Sequence, residues 1–303
     1  MMEDYIIAAE DLLLKYRRKD KAALNHLNLK LHANQIIGLI GANGSGKTTF
    51  FKLCNGALEP TEGEIKILGG NASRDIRLKE EMIYSMHALP VGKSMRVKQV
   101  LKCYNIMYPR FDLEFAVKSL GIFGIPLKKT IGSLSQGMES AVHFMCAIAA
   151  RTKVTLLDEP FIGIDIEKRK IAYEILLRDY MEHPRTFVIS SHNLAELESV
   201  LSEMVLIHEG NLIFYEEMDS VREMLFRVDG DKDKVQGFKN REEICYSSDG
   251  ELGSFCIGRG KVNCRLAMQA RQEGLQVSPV PPEDVCVYLT SEGKEDALEC
   301  LWK

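Results

Sequence analysis

Long apolar runs are absent from this 303-residue sequence. A helix that spans a bilayer needs about 20 mostly apolar residues in a row, and the richest stretches, residues 36–40 and 141–150, are shorter than that. The first residues also lack the basic segment and the small-residue cleavage site of a secretion signal. We therefore expect a soluble chain that stays inside the cell.

The sequence has no excess of positive charge. Its 39 Lys and Arg residues stand against 43 Asp and Glu residues, so the formal net charge is −4. A surface with this charge creates no overall positive electrostatic potential that would hold a polyanion, so nucleic acid is not an expected partner. Apolar residues make up 46% of the chain, which is typical of a packed core and excludes disorder, collagen and coiled coil as global descriptions.

Metal-binding cysteine pairs are missing as well. None of the eight cysteines belongs to a C-x-x-C pair, and none has a histidine at the spacing of a zinc site. We interpret them as free thiols in a reducing cytosol. Five of the eight fall in the last 60 residues, which favours a separate C-terminal region.

Predicted strands and helices alternate through the first two thirds of the chain. Alternation of apolar and polar residues predicts a half-buried strand over residues 27–32 and another over 64–68. Short apolar runs predict strands buried on both faces of a mainly parallel sheet, at residues 36–40, 154–157 and 186–189. Between them the pattern predicts a helix ending near Gly56, a helix over residues 167–182 with Ile171, Ile175 and Leu176 on its apolar face, and a hairpin formed by 205–207 and 212–214.

A helical section interrupts this alternation. Residues from about 95 to 150 show helical periodicity, broken by Pro109, Gly121, Pro126 and the loop around Gly132. We therefore expect an α/β domain over residues 1–220, with a parallel core, an antiparallel part and a helical insertion at about 88–150. The pattern of apolar and charged residues changes near 218–230. Residues 221–303 are expected to form a small α+β appendage.

A phosphate-loop pattern, G-x-x-x-x-G-K-[ST], comes directly after the first buried strand. Its residues are Gly41, Ala42, Asn43, Gly44, Ser45, Gly46, Lys47, Thr48 and Thr49. Glycines let successive backbone N–H groups point at phosphate oxygens, and the next helix adds its own free N–H groups. Lys47 reaches the outer phosphates, and the Thr48 hydroxyl is placed to hold Mg²⁺. The position between a buried strand and a helix favours this interpretation over a purely structural glycine turn.

Asp158 and Glu159 lie at the end of another buried strand. The carboxyl ends of parallel strands are where ligands bind in open α/β sheets. Asp158 is expected to hold Mg²⁺, directly or through water, and Glu159 to polarise the water that attacks the γ-phosphate. A solvated strand end would have the same sequence, so this prediction depends on the neighbouring phosphate loop.

From about residue 16 to about residue 210, the motifs resemble those of the ATP-binding subunit of an ATP-binding-cassette (ABC) transporter. Residues 134–138, Leu-Ser-Gln-Gly-Met, occupy the place of the family's signature motif. The resemblance implies that Ser135 and Gly137 contact the γ-phosphate of an ATP held by a second subunit. It also implies that His192 is the family's switch histidine, a catalytic residue that contacts the γ-phosphate and helps to activate the attack, and that Asp165 lies at the dimer contact.

Tyr16 occupies the place of the aromatic residue that stacks on adenine in this family. Each of these residues has a plainer alternative. Tyr16 could serve in strand packing, Asp165 in capping the helix that begins after it, and His192 as an ordinary histidine. Their joint occurrence at these spacings favours the functional interpretation.

A narrower resemblance points to a bacterial branch that energises small exporters of drug or antibiotic type, whose membrane subunit is a separate chain. The residues that carry it are 107–112, the Leu-Ser-x-Gly-Met form and the Ser-Ser-His triplet at 190–192. Two positions depart from the family. His87 stands in place of a glutamine that contacts Mg²⁺ and the attacking water, which we expect to weaken nucleotide coupling without abolishing hydrolysis. Phe161 and Ile162 replace a small polar pair, a change at the dimer contact.

The resemblance thus implies a P-loop ABC ATPase fold, ATP and Mg²⁺ as ligands, and a head-to-tail dimer of two identical or different ATP-binding subunits. It also implies a position on the inner face of the membrane, through an integral permease. Two alternatives stay open. One is a soluble family member acting on DNA or ribosomes, although this chain has neither a coiled-coil insertion nor a second cassette. The other is a regulatory subunit that hydrolyses ATP poorly.

Overall fold

The computed structural model describes residues 5–17, 19–86, 91–239, 241–250 and 253–290. The polypeptide forms two compact units. The first comprises the residues up to 192 together with 199–215, and the second comprises residues 193–198 and those from 216 onward. Within the described residues no helix has both the length and the apolar character needed to cross a bilayer.

Strands occur in both units. In chain order they are β1 Tyr5–Leu14, β2 Leu24–His32, β3 Ile36–Ile40, β4 Glu62–Ile67, β5 Met82–Met86, β6 Val154–Asp158, β7 Thr186–Ser191, β8 Glu203–His208, β9 Asn211–Glu217, β10 Leu225–Gly230, β11 Ile244–Gly250, β12 Gly253–Arg259 and β13 Gln276–Pro279.

The helices alternate with these strands. They are α1 Lys47–Cys54, α2 Leu78–Glu81, α3 Val97–Met107, α4 Leu113–Ile122, α5 Gln136–Ala149, α6 Ile166–Glu182, α7 Met218–Arg222, α8 Lys232–Lys239, α9 Arg265–Gln272 and α10 Pro282–Thr290, with a short 3₁₀ turn at Ile131–Ser133.

A six-stranded sheet with the order β5-β6-β7-β3-β8-β9 forms the centre of the first unit. The pairings from β5 through β8 are parallel, and every residue of β3 and β6 is buried, as their continuous apolar runs predict. β9 returns beside β8 through Glu209 and Gly210, whose φ angles of 48° and 81° suit a tight hairpin turn. The predicted hairpin is confirmed.

A second, antiparallel sheet with the order β2-β1-β4 belongs to the same unit. Its inward residues, such as Ile7 and Leu27, share one core with Phe50 and Phe51 of α1 and with Val205 of β8. Since α1 starts within the phosphate loop, this core fixes the loop relative to both sheets. The antiparallel part expected from the sequence is confirmed.

The helical section contains α3, α4 and α5, which pack against one another. The breaks expected at Pro109 and Pro126 are confirmed, since both prolines lie between elements. The break expected at Gly121 is wrong, because α4 continues through this residue and ends at Ile122. Gly121 falls in the last turn, where a glycine costs the helix little.

The buried face of α6 agrees with the predicted one at Leu176 only. Ala172, Leu176 and Asp179 are buried, whereas Ile171 and Ile175 are half-buried. The physical reason is Asp179, whose carboxylate lies 2.6 Å from a guanidinium nitrogen of the buried Arg185. A pattern that counts only apolar residues cannot place a buried ion pair on the core side of a helix.

The second unit has the chain order β-α-β-β-α-β from β10 to β13, the split βαβ arrangement. Its antiparallel sheet has the order β11-β12-β10-β13, and helices α8 and α9 cover one face around Phe226, Phe238 and Ala267. The α+β character expected for the C-terminal region is confirmed. The cysteines of the described residues, four of which lie in this unit, are free thiols.

Candidate active site

The phosphate loop joins the carboxyl end of β3 to the start of α1. Gly44 and Gly46 have φ angles of 82° and 114°, which favour glycine. A Cβ atom on Gly46 would lie 2.7 Å from the carbonyl oxygen of Ala23, whereas one on Gly44 would meet nothing within 4 Å. The loop is therefore packed against the protein at Gly46 and open at Gly44, the form of a cradle that a ligand can enter.

Lys47 is 6% exposed and lies over this loop. Its Nζ donates hydrogen bonds to the carbonyl oxygens of Gly41 (2.6 Å) and Ala42 (3.2 Å). Burial lowers the pKa of Lys47, against the opposing effect of Glu159 and Asp158. The buried Oγ of Ser45, in the same loop, has no hydrogen-bond partner among the described residues. A buried cation and an unpaired hydroxyl both fit an anionic ligand such as a polyphosphate.

Asp158, at the end of β6, accepts hydrogen bonds from three hydroxyl groups. Its Oδ2 accepts from Thr48 Oγ1 (2.8 Å) and Tyr84 OH (3.0 Å), and its Oδ1 accepts from Ser190 Oγ (2.6 Å). The parallel register brings these groups together, since Asp158 pairs with Met86 on β5 and with Ser190 on β7. Burial, together with Asp158, raises the pKa of Tyr84, so its hydroxyl remains protonated.

Glu159 and His192 form a pair at the same edge of the sheet. His192 Nδ1 lies 2.9 Å from Glu159 Oε1, and Lys47 Nζ lies 4.0 Å from the same oxygen. The backbone N–H of Glu159 donates to Ser190 Oγ (3.0 Å). Glu159 has a φ of 49°, a conformation that costs energy in a non-glycine residue and is common at functional sites. The geometry holds a carboxylate beside the phosphate loop with a histidine against it.

Tyr16 lies just after β1, and its ring is 56% exposed. Its hydroxyl is 2.9 Å from Thr49 Oγ1. The ring lines the same cleft as Gly44, Lys47 and Glu159. This exposure argues against the alternative in which Tyr16 serves only in strand packing.

A second cleft gathers Ser135, Gly137 and Asp165. Ser135 caps α5 by accepting from the N–H of Met138 (3.3 Å), and Asp165 caps α6 by accepting from the N–H of Lys168 (3.0 Å). This capping bond lowers the pKa of Asp165. The capping role offered as the plainer alternative for Asp165 is thus real, and the residue also lines the cleft.

The two clefts have no lining residue in common in the described part of the chain. One copy therefore carries the phosphate loop with Asp158, Glu159 and His192, and separately carries Ser135 with Gly137. The structure thus gathers the expected residues into two separate clefts.

Phe161, expected to alter the dimer contact, is 7% exposed. Its ring lies 5.1 Å from that of Phe144 on α5 and 4.7 Å from that of Tyr173 on α6, measured between centroids. Ser140 Oγ of α5 donates to the carbonyl oxygen of Ile162 (2.8 Å). The loop after Glu159 is therefore anchored to the helix that begins at the second cleft.

The sequence did not single out Tyr84 or Ser190 as site residues, and His87 lies outside the described residues. Ser190 has a signal in the sequence, because it ends a buried strand directly before Ser191 and His192. Tyr84 has none, because its approach to Asp158 depends on the register of β5 against β6.

The donor set at Asp158 fits Mg²⁺. A carboxylate and the Thr48 hydroxyl are the hard oxygen ligands that this ion prefers, and it usually binds through one or two carboxylates plus substrate phosphates. The described residues contain no cluster of three or more His, Cys, Asp or Glu side chains suited to a metal ion.

The ABC transporter family model matches residues 24–162. The ABC transporter ATP-binding protein YtrB of Bacillus subtilis (strain 168) is 26% identical over 221 residues, which are 71% of this chain and 76% of that protein. The bacitracin transport ATP-binding protein BcrA of Enterococcus faecalis is 28% identical over 217 residues, 70% of each protein.

Among solved structures, a dimeric ATP-binding cassette in a post-hydrolysis state, bound to ADP and Pi, matches with a TM-score of 0.61 at 17% identity, over 70% of this chain and 98% of that one. At this identity the match shows the fold. The P-loop ABC ATPase fold expected from the sequence is confirmed. Residues 24–162 therefore carry an ABC transporter domain, and the relatives and the fold together support an ATP-binding, ATP-hydrolysing subunit of an ABC transporter.

Proposed function

We propose that this chain powers export by a separately encoded membrane permease, through ATP-driven closing and opening of a dimer of ATP-binding subunits. The observation that carries the proposal is the division of the site into two clefts with no shared lining residue among the residues described. The cleft at Ser135 offers a serine hydroxyl and the free N–H groups at the start of a helix, which suit an anion. A nucleotide bound to the phosphate loop of a second copy would supply that anion.

Binding begins at the phosphate loop. Backbone N–H groups of residues 41–49 surround the phosphates. Lys47 replaces its hydrogen bonds to the carbonyl oxygens of Gly41 and Ala42 with hydrogen bonds to phosphate oxygens. The exposed ring of Tyr16, held to Thr49 through its hydroxyl, offers a flat face to adenine.

Thr48 and Asp158 are the residues that would hold Mg²⁺. The ion, when bound, would neutralise charge on the phosphates. The carboxylate of Asp158 is held in place for this role, because it lies at the end of β6 and accepts hydrogen bonds from three hydroxyl groups.

Glu159 acts as the general base. It accepts a proton from the water that attacks the γ-phosphorus, which makes the oxygen of that water nucleophilic as the phosphoryl group leaves. His192 Nδ1–H donates to Glu159 Oε1 and keeps the carboxylate aimed at the phosphate loop. The imidazole is itself half exposed, which leaves it free to contact the γ-phosphate of a bound nucleotide.

Closing of the dimer completes the site. Ser135 and the N–H of Gly137, at the start of α5 in one copy, contact the γ-phosphate held by the other. Cleavage removes the group that both copies hold, so the contacts that favoured the closed dimer are lost and it opens. We assign Asp165, which lines the same cleft, to the contact between the copies.

The transport role is supported by the relatives. One of them is named for bacitracin transport, which supports export of a drug-type substrate. We place the chain on the inner face of the membrane, bound to the permease, with the helical section around residues 88–130 as the receiving surface.

Co-expression with candidate permeases tests this function. A tagged chain should remain on washed membranes only when its permease is present, and ATP-dependent efflux should require both proteins. The Glu159→Gln variant should bind the same membranes without efflux. Recovery of the chain on ribosomes or DNA, with hydrolysis independent of any permease, would favour the soluble alternative. Steady-state hydrolysis no faster than that of Glu159→Gln would favour the regulatory one.

A further inference from the structure

We propose that Tyr84 is a positioning residue that holds the Asp158 carboxylate in the orientation in which it binds Mg²⁺ beside the nucleotide. The inference rests on the proposed function and adds a residue to it. The juxtaposition that carries it is the hydrogen bond of 3.0 Å from Tyr84 OH to Asp158 Oδ2, the oxygen that also accepts from Thr48.

The fold fixes this contact from two sides. On β5, Tyr84 pairs with Leu156, and two residues later Met86 pairs with Asp158, so Tyr84 and Asp158 lie on the same face of the sheet. The phenol ring meets Phe51 of α1 edge to face, with 5.9 Å between centroids. The contact requires a long, rigid side chain, because the hydroxyl must reach a carboxylate that lies two residues further along the strand direction.

The donors around Asp158 are neutral. The carboxylate is 6% exposed, and among the described residues it forms no ion pair within 4.0 Å, although Lys47 attracts it from farther away. Three hydroxyl groups orient it instead. A cationic partner would compete with Mg²⁺ for the same negative charge, whereas a hydroxyl orients the carboxylate and leaves its charge to the metal.

Tyr84 is the donor with a single role. Thr48 is expected to bind the metal itself, and Ser190 also accepts from the N–H of Glu159. The Tyr84 hydroxyl makes one hydrogen bond in the described structure, to Asp158. Its removal therefore changes the support of the carboxylate without changing the expected ligands or the Glu159 backbone.

The Tyr84→Phe variant, which keeps the ring against Phe51, tests the proposal. We would place it in a Glu159→Gln background to prevent hydrolysis, and measure binding of a fluorescent ATP analogue by titration with Mg²⁺ and, separately, in EDTA. Half-saturating Mg²⁺ should rise about tenfold, the loss typical when a partner of a ligating carboxylate is removed. Binding in EDTA should not change, and Mn²⁺ followed by electron paramagnetic resonance should show the same weakening.

Tyr108→Phe is the matched control, since Tyr108 is a buried tyrosine of the helical section that stacks on Tyr104. It should leave both titrations unchanged. An unchanged Mg²⁺ titration in Tyr84→Phe would overturn the inference, and so would an equal loss of binding with and without Mg²⁺, which indicates a structural role. Failure of the Glu159→Gln protein with Tyr84 intact to bind ATP at all would instead contradict the proposed function.

Discussion

His192 Nδ1 lies 2.9 Å from Oε1 of Glu159, across the ends of the neighbouring strands β7 and β6. The two residues are 33 positions apart in the chain, and the parallel pairing of these strands brings them together. The carboxylate is thereby aimed at the phosphate loop while the imidazole remains open to a ligand.

His192→Ala should lower kcat for ATP hydrolysis by about 100-fold or more, because Glu159 loses the hydrogen bond that orients it, and a well-positioned general base contributes rate enhancements of that order. ATP affinity should change little, since the phosphate loop is untouched. Steady-state kinetics and equilibrium ATP binding measure the two effects. His26→Ala removes another exposed histidine paired with a carboxylate, Asp11 at 2.8 Å, and should leave kcat unchanged. Equal kcat for the two variants would contradict the assignment.

Lys47→Met should separate stability from binding. Burial already disfavours the charged form of Lys47. The stability lost with its hydrogen bonds to Gly41 and Ala42 is therefore partly offset by the stability gained when a buried charge is removed. We expect the free energy of unfolding to fall by no more than about 1 kcal/mol. The rise in melting temperature on adding ATP should disappear. Persistence of that rise would show that Lys47 does not contact the nucleotide.

Phe161→Ala should destabilise the first unit by about 3 kcal/mol or more, because it leaves a cavity between Phe144 and Tyr173. Denaturant unfolding measures the loss. Ile166→Ala, at a side chain that is 73% exposed, should change stability by less than about 0.5 kcal/mol. A loss at Phe161 as small as the one at Ile166 would mean that the ring is not part of the core.

Gly137→Ala should impair hydrolysis but not ATP binding. A Cβ atom on Gly137 would lie 2.1 Å from the carbonyl oxygen of Gly163, so the start of α5 must move away from the loop after Glu159. The phosphate loop lies in the other cleft and should still bind ATP. Gly121→Ala is the control, since nothing lies within 4 Å of the new atom and alanine favours the helix. Normal hydrolysis by Gly137→Ala would refute the proposed role of the cleft that contains Ser135 and Gly137.

The sequence was sufficient to predict the strands that bear the site. Residues 36–40 and 154–157 are buried on both faces, so their continuous apolar runs are unambiguous. The phosphate-loop pattern then predicts the turn and the helix that come after β3. Gly44 and Gly46 occur where positive φ angles require them.

Other features depended on contacts that no local pattern encodes. The buried face of α6 was predicted correctly at Leu176 only, because Asp179 on the buried side pairs with Arg185 from outside the helix. Tyr84 and Ser190 were not identified because their approach to Asp158 results from strand register, which the chain order alone does not determine.

In the proposed mechanism, one ATP is held between the phosphate loop of one copy and Ser135 and Gly137 of another. Sedimentation velocity of Glu159→Gln with ATP and Mg²⁺ tests it most directly, with Glu159→Gln/Ser135→Arg as the control. We expect a dimer for the first protein, and monomers for the control and for either protein without nucleotide. A Glu159→Gln protein that binds ATP with Mg²⁺ and remains monomeric at every concentration would contradict it.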